Sequence, residues 1–110
     1  MEELALRLRN QIDTICGGYH YYKDENVIEN ARKLSGEIQE YCSYFLNGNQ
    51  FGMNDEEYAG LQEYVLQVLR DYVEALELDD LVYMVDTLDY GLRVLVELFI
   101  DDDTEELVHE

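Results

Sequence analysis

The chain has 110 residues, of which 47% are hydrophobic and 30% are charged, and its formal net charge is −19. This length and apolar fraction are typical of one folded domain and exclude an intrinsically disordered chain. The charge is uneven, because residues 1–50 hold 8 Asp/Glu and 5 Lys/Arg, whereas residues 51–110 hold 18 Asp/Glu and 2 Arg. Such a surface repels nucleic acid and anionic membranes and attracts basic partners.

Neither the N-terminus nor the two cysteines indicate an extracellular or membrane protein. The chain lacks the basic start and apolar run of a secretory signal, and its apolar stretches are too short to predict a transmembrane helix. Cys16 and Cys42 lie at apolar helical positions, so we expect two buried free thiols in a reducing compartment. We therefore expect a cytoplasmic protein.

The first helix is predicted over residues 2–16. Its apolar side chains recur at helical spacing, at Leu4, Leu8, Ile12 and Ile15. Gly17 and Gly18 are expected to end it, because glycine readily takes the left-handed conformation of a helix C-cap. The tyrosines that follow these glycines would then lie in a loop.

The second helix is predicted over residues 25–47, with Asp24 as its N-cap. Its apolar positions step by four and three residues, at Val27, Ala31, Leu34, Ile38, Tyr41 and Phe45. This spacing is typical of a helix that packs one apolar seam into a bundle.

The third helix is predicted over residues 55–77, capped by Asn54 and with three acidic residues in its first turn. Its seam is Tyr58, Leu61, Val65, Leu69, Tyr72 and Leu76, and we expect Val68 and Val73 to widen it.

The fourth helix is predicted over residues 80–100, with Asp79 as its cap and a seam at Leu81, Val85, Leu88, Leu92, Leu95 and Phe99. The connection before it is so short that the third and fourth helices must be antiparallel neighbours. Together the four segments predict an all-α protein, a single-domain antiparallel four-helix bundle over residues 1–100. Residues 101–110 are predicted to be an acidic, disordered tail.

The end of the fourth helix is unusually apolar. Between Leu92 and Ile100 only Arg93 and Glu97 are polar. A helix that is apolar around most of its circumference must be covered on more than one side. Two explanations are open: a central position in the bundle, or a homodimer interface through residues 92–100.

Metal and catalytic motifs are weak. Cys16 and His20 have i,i+4 spacing, but the chain has two cysteines and two histidines, and zinc sites use three or four protein ligands. The loop at residues 47–52 lacks the acidic ligands of a calcium loop, and no buried histidine is predicted that could activate a serine. We therefore predict no metal site, no cofactor and no enzymatic activity.

A Mg²⁺-dependent nucleotide hydrolase is one alternative, since such all-helical enzymes gather carboxylates from two helices around the metal. The spaced carboxylate pairs are Glu37 with Glu40, Glu77 with Asp80, and Asp86 with Asp89. Several such pairs are expected by chance among 26 acidic residues, and two arginines in the second half leave little to bind phosphates.

The 10 tyrosines, beside 3 phenylalanines and no tryptophan, are the remaining functional signal. Several fall off the apolar seams, and exposed tyrosines often mark protein interfaces because they give large contact area at little entropic cost. The candidate interaction residues are Tyr19, Tyr21, Tyr22, Tyr64, Tyr83, Tyr90, Asp86 and Asp89.

These features favour a small acidic interaction module, an adaptor, chaperone-like accessory or inhibitor, that binds a basic protein partner. The second alternative is a nucleic-acid mimic or immunity protein that blocks a cationic groove. Mimicry requires one exposed ridge of carboxylates, formed by Asp79, Asp86, Asp89 and Glu97 together with Glu63, Asp71 or Glu74. Direct binding of nucleic acid or of a membrane is not expected from so acidic a chain.

Overall fold

The computed structural model describes residues 2–49 and 52–98, and within them every regular element is helical. The elements are α1 (Glu2–Tyr22), α2 (Val27–Arg32), α3 (Ser35–Leu46), α4 (Asp55–Leu78), α5 (Leu81–Asp86), a π-helical segment (Thr87–Leu92) and α6 (Arg93–Glu97). The last three follow one another without a break. The prediction of an all-α helical bundle is confirmed.

The apolar seams of the sequence form one core. All four predicted positions of the first seam and all six of the second are buried. In α4, Val65 and Tyr72 are buried, Leu61, Leu69 and Leu76 pack partly buried against the core, and Tyr58 is half-buried. Val68 is buried and widens the seam as predicted, whereas Val73 is half-exposed and does not. α1 packs against α2, α3 and the three elements of residues 81–97, whereas α4 packs against α3, α5 and the π-helical segment.

Hydrogen bonds give the direction of neighbouring helices. The Tyr58 and Tyr72 hydroxyls of α4 lie near Phe45 and Ser35 of α3, so these helices run in opposite directions. α4 also runs opposite to residues 81–97. The early residue Tyr83 of this stretch bonds to Asp71 late in α4, whereas the later residue Gly91 bonds to Tyr64 earlier in α4.

The first helix is longer than predicted. α1 continues through Gly17 and Gly18 to Tyr22, and neither glycine has a positive φ. The left-handed residue that follows the helix is Lys23, with φ 57°, and its N–H donates to the Tyr19 carbonyl at 3.1 Å. The prediction that the glycines end the helix, and that the tyrosines after them lie in a loop, is therefore wrong.

The predicted second helix is divided into α2 and α3 by a turn at residues 33–34. The Ala31 carbonyl accepts hydrogen bonds from the Tyr72 hydroxyl and the Leu34 N–H, and the Arg32 carbonyl accepts one from the Ser35 hydroxyl. Side-chain hydroxyls thus take acceptors that a continuous helix would use, which interrupts the backbone ladder. Asp24 is not the N-cap, because Asn26 holds that position and donates its N–H to Asp24.

The caps of the later helices agree in part with prediction. Asn54 caps α4 as expected, and Glu57 completes a capping box. Asp79 is instead the left-handed residue, φ 54°, at the end of α4. The cap of the next helix is Asp80, whose carboxylate accepts the Tyr83 N–H at 3.1 Å.

The predicted fourth helix contains the π-helical segment, in which the Arg93 N–H reaches back five residues to the Leu88 carbonyl. Leu92 at its end and Leu95 and Val96 after it are buried, while Val94 and Leu98 are each 50% exposed. The final predicted positions of this helix and the predicted tail, residues 99–110, lie outside the described residues. In the part of the chain that the structure describes, no helix combines the length and apolarity needed to span a membrane.

Candidate functional site

Four of the eight predicted interaction residues line one groove between α4 and the stretch formed by α5 and the π-helical segment. They are Tyr64, Tyr83, Asp86 and Tyr90, and the groove has a volume of about 390 Å³. Its other lining residues are Gln67, Val68, Asp71, Thr87 and Gly91. We call it the tyrosine groove.

At one end of the groove, Tyr64 joins α4 to the π-helical segment. Its hydroxyl donates to the Gly91 carbonyl at 2.8 Å, and its desolvation by burial raises the pKa of Tyr64. Gly91 lies against Val68 of α4, where a Cβ built on the glycine would be 3.4 Å from Cγ2 of Val68, an ordinary van der Waals distance. The close packing of the two helices therefore forms this end of the groove.

At the other end, Tyr83 reaches across to α4. Its hydroxyl donates to Oδ1 of Asp71 at 2.9 Å and lies 3.4 Å from a carboxylate oxygen of Glu74. The hydrogen bond to the Asp71 carboxylate and the negative charge of both acids raise the pKa of Tyr83 to about 12. Gln67 also donates to Oδ1 of Asp71, at 2.9 Å, so two side chains fix that carboxylate in place.

The outer wall is more open. Tyr90 is 71% exposed, and Asp86 is exposed without a hydrogen bond or ion pair to any described residue. Thr87 lies between them and turns its hydroxyl to the Tyr83 carbonyl at 2.8 Å. The wall therefore offers an aromatic ring and a carboxylate that have no partner among these residues.

Asp89 does not line the groove. Its Oδ1 accepts from Nε of Arg93 at 2.9 Å, and Nη1 of the same arginine contacts Asp13 of α1 at 2.6 Å. Burial alone would lower the pKa of Arg93, but the hydrogen bonds to both carboxylates outweigh it and raise the pKa. Asp89 thus takes part in a link between α6 and α1.

The three remaining predicted residues lie in the last turns of α1, and none of them lines the groove. Tyr21 and Tyr22 are more than 80% exposed. Tyr19 packs partly buried against the core, edge-on to His20 at 5.5 Å between ring centroids. The predicted interaction residues therefore form two separate groups, of which the groove is the more enclosed.

Gln67 and Gly91 were missed by the sequence reasoning, and Asp71 was noted only as part of a ridge of carboxylates. The signal that could have found them is spacing, because Tyr64, Gln67, Val68 and Asp71 share one face of α4. Gly91 carried no such signal, since its role depends on how closely two helices approach.

The described residues show little that supports metal or nucleophilic chemistry. Among residues 2–49 and 52–98, no group of three or more His, Cys, Asp or Glu side chains could hold a metal ion. Cys16 and Cys42 are buried free thiols, and desolvation raises their pKa to about 11 and about 12. Thiols with such pKa values are poor nucleophiles at neutral pH.

Comparison with known proteins gave no matching family model, no matching curated protein and no matching solved structure. Function is therefore inferred from the tyrosine groove, which combines aromatic rings with carboxylates. Such a combination suits the binding of a cationic protein surface.

Proposed function

We propose that this protein is a small non-enzymatic interaction module that binds a basic protein partner through the tyrosine groove. The observation that carries the proposal is that Tyr64, Tyr83 and Tyr90 line the same groove as Asp71 and Asp86. Tyrosine supplies a large, rigid contact area with few rotatable bonds, and for this reason it is enriched where binding energy concentrates.

The charge of the chain supports a basic partner. Among the residues that line the groove, the charged side chains are Asp71 and Asp86, and both are acidic. Residues 51–110 carry a net charge of −16. A field of one sign steers an oppositely charged protein toward the surface and raises its association rate. Association should therefore slow as salt is added.

The π-helical segment supplies a second line of support. It brings Thr87, Tyr90 and Gly91 to the groove, and π-helical insertions in helices are frequent at functional sites. A helix with regular α geometry through these residues would place Tyr90 differently relative to α4.

Co-purification from the source cell tests the proposal. The full chain is immobilised, and bound proteins are identified at about 0.05 M and about 0.5 M salt, where screening of surface charge differs strongly. We expect a specific basic protein that is retained at low salt and lost at high salt. Retention must fall with Tyr90→Ala but not with Tyr22→Ala, the matched change outside the groove. If both variants retain the same proteins as the wild type, the proposal is wrong.

Nucleic-acid mimicry is the alternative reading of the same acidic surface. It would use Asp71 and Asp86, which share the groove, but Asp89 forms an ion pair with Arg93 and does not line the groove. Glu74, another proposed member of the ridge, lies near Asp71, because the Tyr83 hydroxyl contacts both carboxylates. The Mg²⁺-dependent hydrolase would need a cluster of carboxylates, but among residues 2–49 and 52–98 no group of three or more possible ligands is found, and Glu37 contacts Arg7 at 3.5 Å.

Two further proposals concern the cellular location and the oligomeric state of the protein. A cytoplasmic location is proposed from the two buried free thiols, which suit a reducing compartment. A homodimer through residues 92–100 would have to use Val94 and Leu98 among the described side chains of this segment, because the other apolar ones belong to the core.

A further inference from the structure

The tyrosine groove is rich in hydrogen-bond acceptors, because three of its four hydroxyl groups donate their protons internally, the exception being the exposed Tyr90. The Tyr64 hydroxyl donates to the Gly91 carbonyl, the Tyr83 hydroxyl to Asp71, and the Thr87 hydroxyl to the Tyr83 carbonyl. An incoming group therefore meets mainly oxygens that accept hydrogen bonds, together with the aromatic rings of the lining tyrosines. A ligand that is itself an acceptor, such as a phosphate or a carboxylate, would find few donors here and would be repelled by the acidic side chains.

Two carboxylates in the groove have capacity to accept. Asp86 forms no hydrogen bond or ion pair with any described residue, and both hydrogen bonds to Asp71 end on its Oδ1 atom. No described residue donates a hydrogen bond to the Oδ2 atom of Asp71, so this atom can accept one from a bound ligand. The exposed ring of Tyr90 lines the same groove.

These features match a guanidinium group better than an ammonium group. Guanidinium is planar, carries five N–H donors and no acceptor, and can bind carboxylates while stacking on an aromatic ring. A lysine ammonium is a compact, strongly hydrated charge that pairs with a carboxylate without stacking. Resting on the proposed function, we propose that the groove receives an arginine side chain of the basic partner and discriminates against lysine at that position.

Three synthetic peptides test this selectivity on the full chain. They are alanine-based helical peptides of equal length that carry arginine, lysine or citrulline at the same positions. Citrulline has nearly the shape of arginine but no charge, so it separates geometry from electrostatics. Dissociation constants are measured by isothermal titration calorimetry at low salt.

We expect the arginine peptide to bind about fivefold more tightly than the lysine peptide, and at least about tenfold more tightly than the citrulline peptide. Asp86→Asn and Tyr90→Ala should each weaken the arginine peptide and bring the arginine-to-lysine ratio toward one. Tyr90→Phe keeps the ring and should preserve the ratio. Glu40→Gln, the same charge change at an exposed site on α3, should leave the ratio unchanged.

The outcomes separate this inference from the proposed function. Equal affinity for the arginine and lysine peptides, or no measurable binding of the arginine peptide, overturns the arginine selectivity. The proposed function is then still supported if the wild type retains a basic protein in co-purification and Tyr90→Ala does not. If the arginine preference survives both Asp86→Asn and Tyr90→Ala, the selectivity belongs to another surface and the inference is also wrong.

Discussion

Tyrosine hydroxyls form several of the hydrogen bonds between helices. Tyr41 donates to the Leu95 carbonyl of α6 at 2.7 Å, and Tyr72 donates to the Ala31 carbonyl of α2 at 2.7 Å. In each case a buried ring fills the core while its hydroxyl satisfies a backbone acceptor of a neighbouring helix. This use of the hydroxyl gives a physical reason for tyrosine over phenylalanine at these two seam positions.

Removing the buried hydroxyl of Tyr41 should destabilise the fold. Tyr41→Phe leaves the Leu95 carbonyl without this donor in a buried position, which we expect to lower the free energy of unfolding by about 1–2 kcal/mol. Urea unfolding followed by circular dichroism measures the change. Tyr22→Phe, at an exposed position, is the control and should change stability by less than about 0.5 kcal/mol. Equal effects of the two substitutions would contradict this role of the hydroxyl.

The two buried thiols should react slowly in the folded state. Burial raises the pKa of Cys16 to about 11 and that of Cys42 to about 12, against an ordinary value of 9.0. At pH 8 the thiolate fraction of Cys16 is then about a hundredfold below that of an unfolded thiol, and alkylation should slow by at least that factor. Alkylation rates in native buffer and in urea, followed by mass spectrometry, test this. Comparable rates would show that the thiols are not buried.

The same shifts fix the sign of the alkaline pH dependence. Because the folded thiols hold their protons more tightly than unfolded ones, their contribution to stability is complete below about pH 9 and is lost as pH rises toward 11 and 12. Tyr83, whose pKa the Asp71 carboxylate helps to raise to about 12, contributes with the same sign above pH 10. Stability should therefore fall from pH 9 upward.

At the scale of elements, Arg93 links two helices that are distant in sequence. It contacts Asp89 one turn before it and Asp13 of α1, and its side chain is 25% exposed. By contrast, the ion pair between Arg7 and Glu37 is more exposed and longer, at 3.5 Å. We therefore expect Arg93 to contribute more to the free energy of unfolding than Arg7.

Replacing Arg93 should cost more stability than replacing Arg7. We expect Arg93→Met to lower the free energy of unfolding by about 1–2 kcal/mol, because Asp89 and Asp13 lose a charged donor, and Arg7→Met by less than about 0.5 kcal/mol. Both changes remove one positive charge, so their effect on net charge is matched. Thermal and urea unfolding give the comparison, and a larger effect of Arg7→Met would refute the assigned role of Arg93.

Helices were predictable from the sequence where residues close together in the chain determine them. The 4,3 spacing located the buried seams of α1 and of residues 27–45, and Asn54 with Glu57 marked the start of α4. The division between α2 and α3 was not predictable, because the Tyr72 hydroxyl that takes the Ala31 carbonyl comes from another helix. The continuation of α1 through Gly17 and Gly18 was not predictable either, because glycine can end a helix but can also adopt helical dihedral angles within one.

The candidate site was predictable in its residue types but not in its arrangement. Tyrosines off the seams were identified as interaction residues, and Tyr64, Tyr83 and Tyr90 do line a groove. The i,i+4 pair of Asp89 with Arg93 was visible in the sequence, but the further contact of Arg93 with Asp13 and the π-helical segment that carries Asp89 were not. Helix geometry outside the regular α repeat leaves no periodic pattern in the sequence.

At the scale of the whole molecule, the charge of −19 works against folding. Self-repulsion at this density lowers stability, and dissolved ions screen it over roughly 10 Å at 0.1 M. We therefore expect the melting temperature to rise by about 5 °C between about 0.02 M and about 0.5 M sodium chloride, which corresponds to about 1 kcal/mol. Differential scanning calorimetry measures this. A melting temperature that falls with salt would mean that attractive ion pairs dominate instead.

The most direct test of the central claim compares two matched double variants of the full chain. Asp86→Asn with Tyr90→Ala changes the tyrosine groove, whereas Glu40→Gln with Tyr22→Ala makes the same charge change and removes another exposed tyrosine ring elsewhere. The measurement is the dissociation constant for the basic protein obtained by co-purification. We predict at least about a tenfold loss of affinity for the groove variant and a change within about twofold for the control. Equal affinities for the two variants would contradict the assignment of the groove as the binding site.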